Sequence, residues 1–385
     1  MKITNARVFV DGHFEDGGIE FEEKITAAGA FVKEDASSVD AASFMNNGFS
    51  AASAAEKPLI IPGLIDIHTH GAVGVDANDG DAAGLRDMSL YYARDGVTSW
   101  CPTTSTVMEE DLMKAMRTVR DFERPADGAR AVGIHLEGPF LSPDRAGAQN
   151  PEALRLPDLS LFERLREKSG DLVRICSLAP ELPGAEDFIR EASKEVTVSI
   201  AHTNADYDTC MRAFDAGASH ITHTFNCMPG IHHREPGTIP AALDAGVTAE
   251  LITDGFHIHP AVIRLAASLF GENLALVSDS LRCAGMPDGD YSLGGMDITL
   301  QDGKATLRGR ETLAGSSVHL MEGLRRAVRF GVPLEQAVTA GTGTPARVIR
   351  KENEIGSLRP GLAADFVILN EKLEVKAVFI GGKKC

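Results

Sequence analysis

A chain of 385 residues with 43% apolar content is long enough to bury a large α/β core and to carry a smaller module beside it. Its formal net charge of -17, without any block of like charges, argues against nucleic-acid binding and against an anionic membrane surface, while leaving room for a small anionic substrate held by a few local cations. Its six cysteines (Cys101, Cys176, Cys210, Cys227, Cys283 and Cys385) lack any CxxC spacing, so neither a disulfide framework nor a thiolate zinc site is expected.

The opening MKITNARVFVDG meets a charge and a glycine too early for a signal peptide, and no apolar run approaches membrane-spanning length. A cytoplasmic protein with reduced thiols is therefore expected. The first 30 residues read as short strands: KITNARVFV alternates, DG turns, and GIEFEEKITAAG alternates again. The Ala/Ser-rich stretch near residues 35–56 has few large apolar residues and is expected to be a surface excursion or loop. Far downstream, ADFVILNEKLEVKAVFIGGK returns to strands around a turn, so the two ends are expected to pair.

Between them, strand-like apolar runs alternate with helical stretches. The runs are LIIPGLIDIHTH, GVTSWCPTT, AVGIHLEGPF, LVRICSLAPE, VTVSIAHT, HITHTFN, TAELITDGFH and LALVSDS; helices such as EEDLMKAMRTVRDFE and YDTCMRAFDAG separate several of them. That rhythm predicts an α/β fold: a (β/α)₈ TIM barrel over residues 58–354 with a β-hairpin insertion near 291–310, where YSLGGMDITLQDGKATLR carries a DG turn. Residues 1–57 and 355–385 are expected to form a small β-sandwich domain.

Active sites of such barrels gather at the C-terminal ends of the strands. There the sequence places His68 and His70 (strand one), Glu137 (three), His202 (five), His223 (six), Asp254 and His257 (seven) and Asp279 (eight). Histidines with one glutamate suit zinc or iron(II) better than magnesium or calcium, and Glu137 could bridge two ions, giving one or two divalent ions per subunit. A bound ion lowers the pKa of water, and Asp279 is placed to pass its proton to a leaving group. The plain alternatives are histidines satisfied by backbone carbonyls and an Asp279 that merely caps a helix; together they would require several coincidences at one end of one barrel. The loop THTFNCMPGIHHREPG adds His232, His233 and Arg234, cations in an acidic chain, and Arg suits a phosphate through its planar fork.

PGLIDIHTHG resembles the strand-one signature of the amidohydrolase superfamily. In order along the rest of the chain, HLEGPF, APE, AHTNA, THTFNCMPGIHHREPG, DGFHIH, SDSLRCAGMPDG and LAGSS are similar to the N-acetylglucosamine-6-phosphate deacetylase family. The resemblance implies a metal-dependent hydrolysis of the N-acetyl group of N-acetyl-D-glucosamine 6-phosphate to glucosamine 6-phosphate and acetate, a step of amino-sugar catabolism. It implies Glu137, His202 and His223 as ligands of the principal ion and Asp279 as acid/base. It implies His257 beside the reacting amide, Asn226 and Cys227 at the phosphate largely through their backbone, and Ala148, Gln149, Leu313, Ala314 and Gly315 along the sugar and acetyl group. It also implies a homodimer in which Arg234 reaches the neighbour's site. Some members lack the first-strand histidines and work with one ion, so His68 and His70 would decide the number of ions.

The chain departs from that family in four places. Cys227 stands where alanine is usual, Gln149 where many members have a sugar-contacting histidine, and LRCAG after Asp279 puts Arg282 close by; the Ala/Ser-rich stretch matches no family pattern. Three other readings remain at this stage: the same chemistry on N-acetylgalactosamine 6-phosphate, cleavage of a cyclic amide as in dihydroorotase-like enzymes, and a non-catalytic binding protein. The cyclic-amide enzymes often use a carboxylated lysine, and none stands at the end of LVRICSLAPE.

Overall fold

The structure, a computed structural model, describes residues 1–45 and 57–385. Eight parallel strands run in chain order around a barrel: Leu64–Thr69, Val97–Thr104, Ile134–Glu137, Val173–Leu178, Thr197–Ile200, His220–Ile221, Thr248–Ile252 and Leu274–Val277. The ring closes between the first and the last. There the Asp279 N–H donates to the His68 carbonyl at 2.9 Å, and the Ser280 carbonyl accepts from the N–H groups of His70 and Gly71, each at 2.9 Å.

A helix follows each strand on the outside, because each helical segment repeats its apolar residues at three- and four-residue spacing. Glu109–Arg120 is representative: Leu112, Ala115, Met116 and Val119 form its buried stripe, with acids in the first turn and arginines in the last. Asp81, Asp158 and Asp206 cap the helices that follow them by accepting N–H bonds of the first turn. Inside the ring, Ile65, Cys101, Ile175, Ile252 and Val277 form one apolar cluster with Ala346 and Val348. Residues from strands one, two, four, seven and eight can meet only through the middle of the barrel, so this cluster fills its interior.

The run LIIPGLIDIHTH, expected as one barrel strand, is two. Leu59–Pro62 lies between Lys2–Val10 and Phe366–Leu369 in a terminal sheet, and only Leu64–Thr69 enters the barrel. Both pieces are wholly buried, so no polar residue marks the change of sheet. Gly63 is the joint: a Cβ there would lie 2.1 Å from Thr98 Oγ1.

The terminal sheet is a single eight-stranded one that takes segments from both ends of the chain. Asp11 and Gly12, both at positive φ, make the tight turn that the DG pair predicts. Its core packs Phe366 against Phe379 at 4.9–5.5 Å from Phe21, with Ile3, Ile19 and Ile60 around them. The Ala/Ser-rich stretch is not wholly a surface excursion. Val39–Asp40 pairs with the first strand, Ala41 is fully buried, and Phe44 sits on Phe379. Small alanines that fill tight space carry little hydrophobic signal, which is why the sequence pattern missed them; residues 46–56 of that stretch lie outside the described residues.

The insertion after strand eight is a three-stranded meander rather than a hairpin: Gly289–Leu293, Met296–Gln301 and Lys304–Leu307. Its second turn is the expected Asp302–Gly303, and its first is the Gly294–Gly295 pair that the sequence reading passed over. The extra turn matters because it brings Leu293, and the segment after Leu307, over the mouth of the barrel.

Candidate metal centre and active site

The chain turns abruptly where it leaves strands five, six and eight. His202, His223 and Asp279 sit there with φ of 43°, 26° and 48°, the left-handed region that costs a non-glycine residue roughly 1–3 kcal/mol. Strain of this kind persists where surrounding contacts over-determine it, and here it swings three functional side chains inward over the barrel. Gly147, at φ 62°, brings the loop of Ala148 and Gln149 against the ends of strands five and six: a Cβ there would lie 2.5 Å from Cys227 Sγ and 3.3 Å from His202 Cε1.

At the barrel mouth the donor atoms converge. Glu137 Oε1 lies 2.9 Å from His223 Nε2, 3.4 Å from His202 Nε2 and 3.5 Å from His68 Nε2. Its other oxygen, Oε2, lies 3.2 Å from His70 Nε2. Asp279 Oδ1 faces the same pair, 3.5 Å from His68 Nε2 and 3.4 Å from His70 Nε2. Glu137 is thus shared between two half-sites, one with His202 and His223 and one with His68 and His70, and each trio has its ligand atoms within 4.8 Å of one another.

Hydrogen bonds on the far side of the rings show what these atoms are for. His70 Nδ1 meets the Thr103 carbonyl at 3.2 Å, His202 Nδ1 meets the Arg145 carbonyl at 2.8 Å, and His68 Nδ1 meets Glu250 Oε2 at 2.8 Å. A carbonyl or carboxylate only accepts, so each Nδ1 carries the hydrogen and each neutral ring turns an Nε2 lone pair to the centre. Yet His68 and His70 bring their Nε2 atoms to 3.4 Å, and His202 and His223 theirs to 3.2 Å. Two lone pairs brought this close, as on His68 and His70, repel, and a cation between them would relieve it; His223 Nδ1 has no partner, so its Nε2 is equally free to take up an ion. Tetrahedral zinc with bonds of about 2.0–2.1 Å would separate its ligands by roughly 3.3 Å, so the donor set fits a divalent ion in both halves.

The electrostatics agree. Burial opposes the charged form of every group here, but Glu250, Glu137 and Asp279 outweigh it and hold the His68 pKa well above 6.5. His70 is held up to about 9, against burial, by Asp279 and Glu137. Glu137 and Glu250 stay well below the usual carboxylate range despite burial, chiefly through the charge of His68. The centre demands positive charge, for which protons and a metal ion compete at the same lone pairs.

Beside it opens a cleft of about 300 Å³. His70, Glu137, Ala148, Gln149, His202, His223, Asn226, Cys227, His257, Asp279, Leu313 and Gly315 line it. His68 lies beneath, fully buried. His257 Nδ1 is bound by Asp254 Oδ2 at 2.7 Å, which leaves Nε2 for a ligand. Gln149, expected at the sugar, has both ends of its amide engaged: Nε2 donates to Glu137 Oε2 at 2.7 Å, and Oε1 accepts from the Thr106 N–H at 2.6 Å.

One expected contact, Ala314, is not brought to the cleft, and Arg234, expected to reach a neighbouring subunit, stands apart from its own. The Ala314 side chain is fully buried in an apolar cluster with Leu281 and Cys283, because its neighbours Leu313 and Gly315 take the outward positions. Arg234 lies in a separate surface cleft with Arg145, Asn204 and Tyr207, its Nη1 2.8 Å from His233 Nε2. Arg282 turns away from the site and pairs with Asp79 at 2.8 Å. Sequence reasoning missed Leu281, Leu293, Glu311 and Thr312 in the lining, and Glu250 behind it. Only Glu250 had a signal: it is the one charged residue in the strand TAELI, between Ala249 and Leu251.

Comparison with known proteins points the same way. The amidohydrolase family profile matches residues 59–385. A Bacillus subtilis N-acetylglucosamine-6-phosphate deacetylase is 38% identical over 325 residues, 82% of each chain. An Escherichia coli N-acetylgalactosamine-6-phosphate deacetylase is 36% identical over 330 residues, 84% of this chain and 87% of its own. The structure of a Mycobacterium smegmatis N-acetyl-D-glucosamine-6-phosphate deacetylase variant in complex with N-acetyl-D-glucosamine 6-phosphate superposes with a TM-score of 0.90 at 30% identity, covering 100% of this chain and 98% of that one.

Proposed function

The chain belongs to the amidohydrolase family, whose members are metal-dependent, and from that premise we propose that it deacetylates N-acetyl-D-glucosamine 6-phosphate to D-glucosamine 6-phosphate and acetate. The observation that carries the reading is the convergence of Glu137, His202 and His223 with Asp279 on one small cleft, within a chain that aligns over more than four-fifths of its length with deacetylases of phosphorylated amino sugars. A bound ion supplies Lewis acidity toward the amide carbonyl and lowers the pKa of water.

The chain's own residues do the rest. Asp279, whose pKa is lowered by His68 and His70 against burial, stays an anion able to take the proton of the attacking water. It then delivers that proton to the amide nitrogen as the C–N bond breaks and acetate separates from the amine. His257, kept protonated on Nδ1 by Asp254, offers Nε2 to the substrate beside the reacting amide. Asn226 and Cys227 line the cleft on the loop after strand six and would hold the phosphate through their backbone. Leu293, Leu313 and Gly315 narrow the opening from the meander side and limit the entry of bulk water.

Zinc or iron(II) is the metal that this donor set favours. A homodimer in which Arg234 completes the neighbour's phosphate site accounts for an arginine that stands away from its own cleft. Free cysteines throughout the described residues, and no helix among them long and apolar enough to cross a membrane, are consistent with a cytoplasmic enzyme. The galacto epimer is the second reading, favoured by the Escherichia coli relative. Acetate release from both epimeric 6-phosphates, with metal content measured on the same preparation, tests both. Equal turnover of unphosphorylated N-acetylglucosamine would refute the phosphate assignment, and full activity in metal-free protein would refute the mechanism.

A further inference from the structure

Behind the metal centre, in the middle of strand seven, stands a carboxylate with no route to solvent. Glu250 is fully buried. One of its oxygens, Oε2, accepts from His68 Nδ1 at 2.8 Å and from the backbone N–H of His223 at 3.0 Å. The other, Oε1, faces His220 Nε2 at 3.2 Å. His68 belongs to one half of the centre and His223 to the other, so a single oxygen atom touches a ligand of each.

A buried carboxylate is expensive, and an apolar residue of similar volume would fill this place in a strand at less cost. What the apolar residue could not do is fix two ligands. The bond to Nδ1 makes His68 an Nε2 ligand by tautomer and sets the plane of its ring. The bond to the His223 N–H holds the backbone of a residue at φ 26°, a conformation that must be pinned from outside.

We propose that Glu250 is a positioning residue that couples the two halves of the metal centre, holding a ligand of each on one carboxylate oxygen. Loss of that oxygen's charge should then weaken both seats, including the one whose ligands Glu250 touches only through a peptide N–H. Glutamine keeps the volume of the side chain and an oxygen with two lone pairs that can face both partners, but it lacks the negative charge that strengthens both bonds, so it tests that charge.

The proposal rests on the metal-dependent reading above, and zinc binding by the unaltered chain separates the two. A wild-type protein that binds no ion defeats that reading; a wild-type protein with two ions and an unchanged variant defeats only the proposal. Zinc affinity is measured by competition with a chelating indicator in four proteins: wild type, Glu250→Gln, His68→Gln/His70→Asn, and the triple variant. Glu250→Gln should lower the affinity of the weaker seat by about 10–100-fold, the range seen when the residue behind a ligand is removed. The triple variant should bind its remaining ion about tenfold or more weakly than His68→Gln/His70→Asn does. If that remaining affinity is unchanged, Glu250 serves His68 alone and the coupling is refuted. Melting temperatures in excess chelator provide the control for folding. A variant that melts at the wild-type temperature without metal yet binds zinc weakly supports positioning. One whose metal-free fold is lost overturns it in favour of a structural prop. His220→Gln, which alters a neighbour of Oε1 and leaves the partners of Oε2 in place, should leave both affinities within a few-fold of wild type.

Discussion

Replacing Gln149 by leucine separates two roles that the same residue could play. The amide is buried, 5% exposed, and sits between Glu137 Oε2 at 2.7 Å and the Thr106 N–H at 2.6 Å. Leucine keeps much of the volume and removes both bonds. A hydrogen bond to a charged group contributes about 1.5–3 kcal/mol, and here the charge belongs to the carboxylate shared by both half-sites. Lost support behind a metal ligand typically costs 10–100-fold in affinity, about 1.4–2.8 kcal/mol at 1.4 kcal/mol per decade, so the two routes to the magnitude agree. The expected outcome is a 10–100-fold fall in zinc affinity, read by chelator competition, with KM for the phosphorylated sugar changed little once metal is saturating. Unchanged zinc affinity with a tenfold rise in KM would refute this reasoning and return Gln149 to the sugar.

Asp279→Asn should keep the principal ion and lower kcat by about 10²–10⁴ in an acetate-release assay, the usual scale of a lost acid/base group; loss of that ion with the activity would count against the assigned role. His68→Gln with His70→Asn should lower zinc stoichiometry by one ion and leave substantial turnover, whereas complete inactivity would make the second seat essential. Burial opposes the charged form of His257, but the hydrogen bond and charge of Asp254 outweigh it and raise its pKa. A group with a raised folded pKa stabilises the fold below its unfolded value, and that contribution is lost as pH rises through the folded one. Asp254→Asn should remove that support, so that the His257 contribution to the melting temperature is lost at lower pH than in the wild type; a melting profile whose pH dependence stays in place would refute the pairing.

The barrel was legible because its strands announce themselves as apolar runs that end in acids and imidazoles, and strand ends are where such folds do chemistry. His68, His70, Glu137, His202, His223 and Asp279 all fall there, and the structure brings their ligand atoms together. What stayed hidden depends on relations that no local pattern encodes. Gly63 divides one apolar run between two sheets, and nothing in LIIPGLIDIHTH shows it. Gln149 looked like a sugar contact by its place in a motif, but its partners come from the end of strand three and the loop after strand two. Ala314 and Leu313 are adjacent, so only the twist of the chain decides which one faces the cleft. Glu250 was the reverse case: a lone charge in a buried strand was visible, and what it needed was a partner.

The terminal sheet has a consequence for how the molecule is made. Pro62 pairs with Phe366, which is synthesised 304 positions later. At the usual rate of about 5–20 residues per second, one edge of Leu59–Pro62 waits roughly 15–60 s on the ribosome for its neighbour. All eight barrel strands have been translated by Val277, well before that neighbour exists. The strand that leads into His68 is thus paired along only one edge while the barrel assembles, and an apolar edge of four buried residues stands open to other chains until the last segment arrives. Birth order makes the sheet the clasp of the molecule, fastened last.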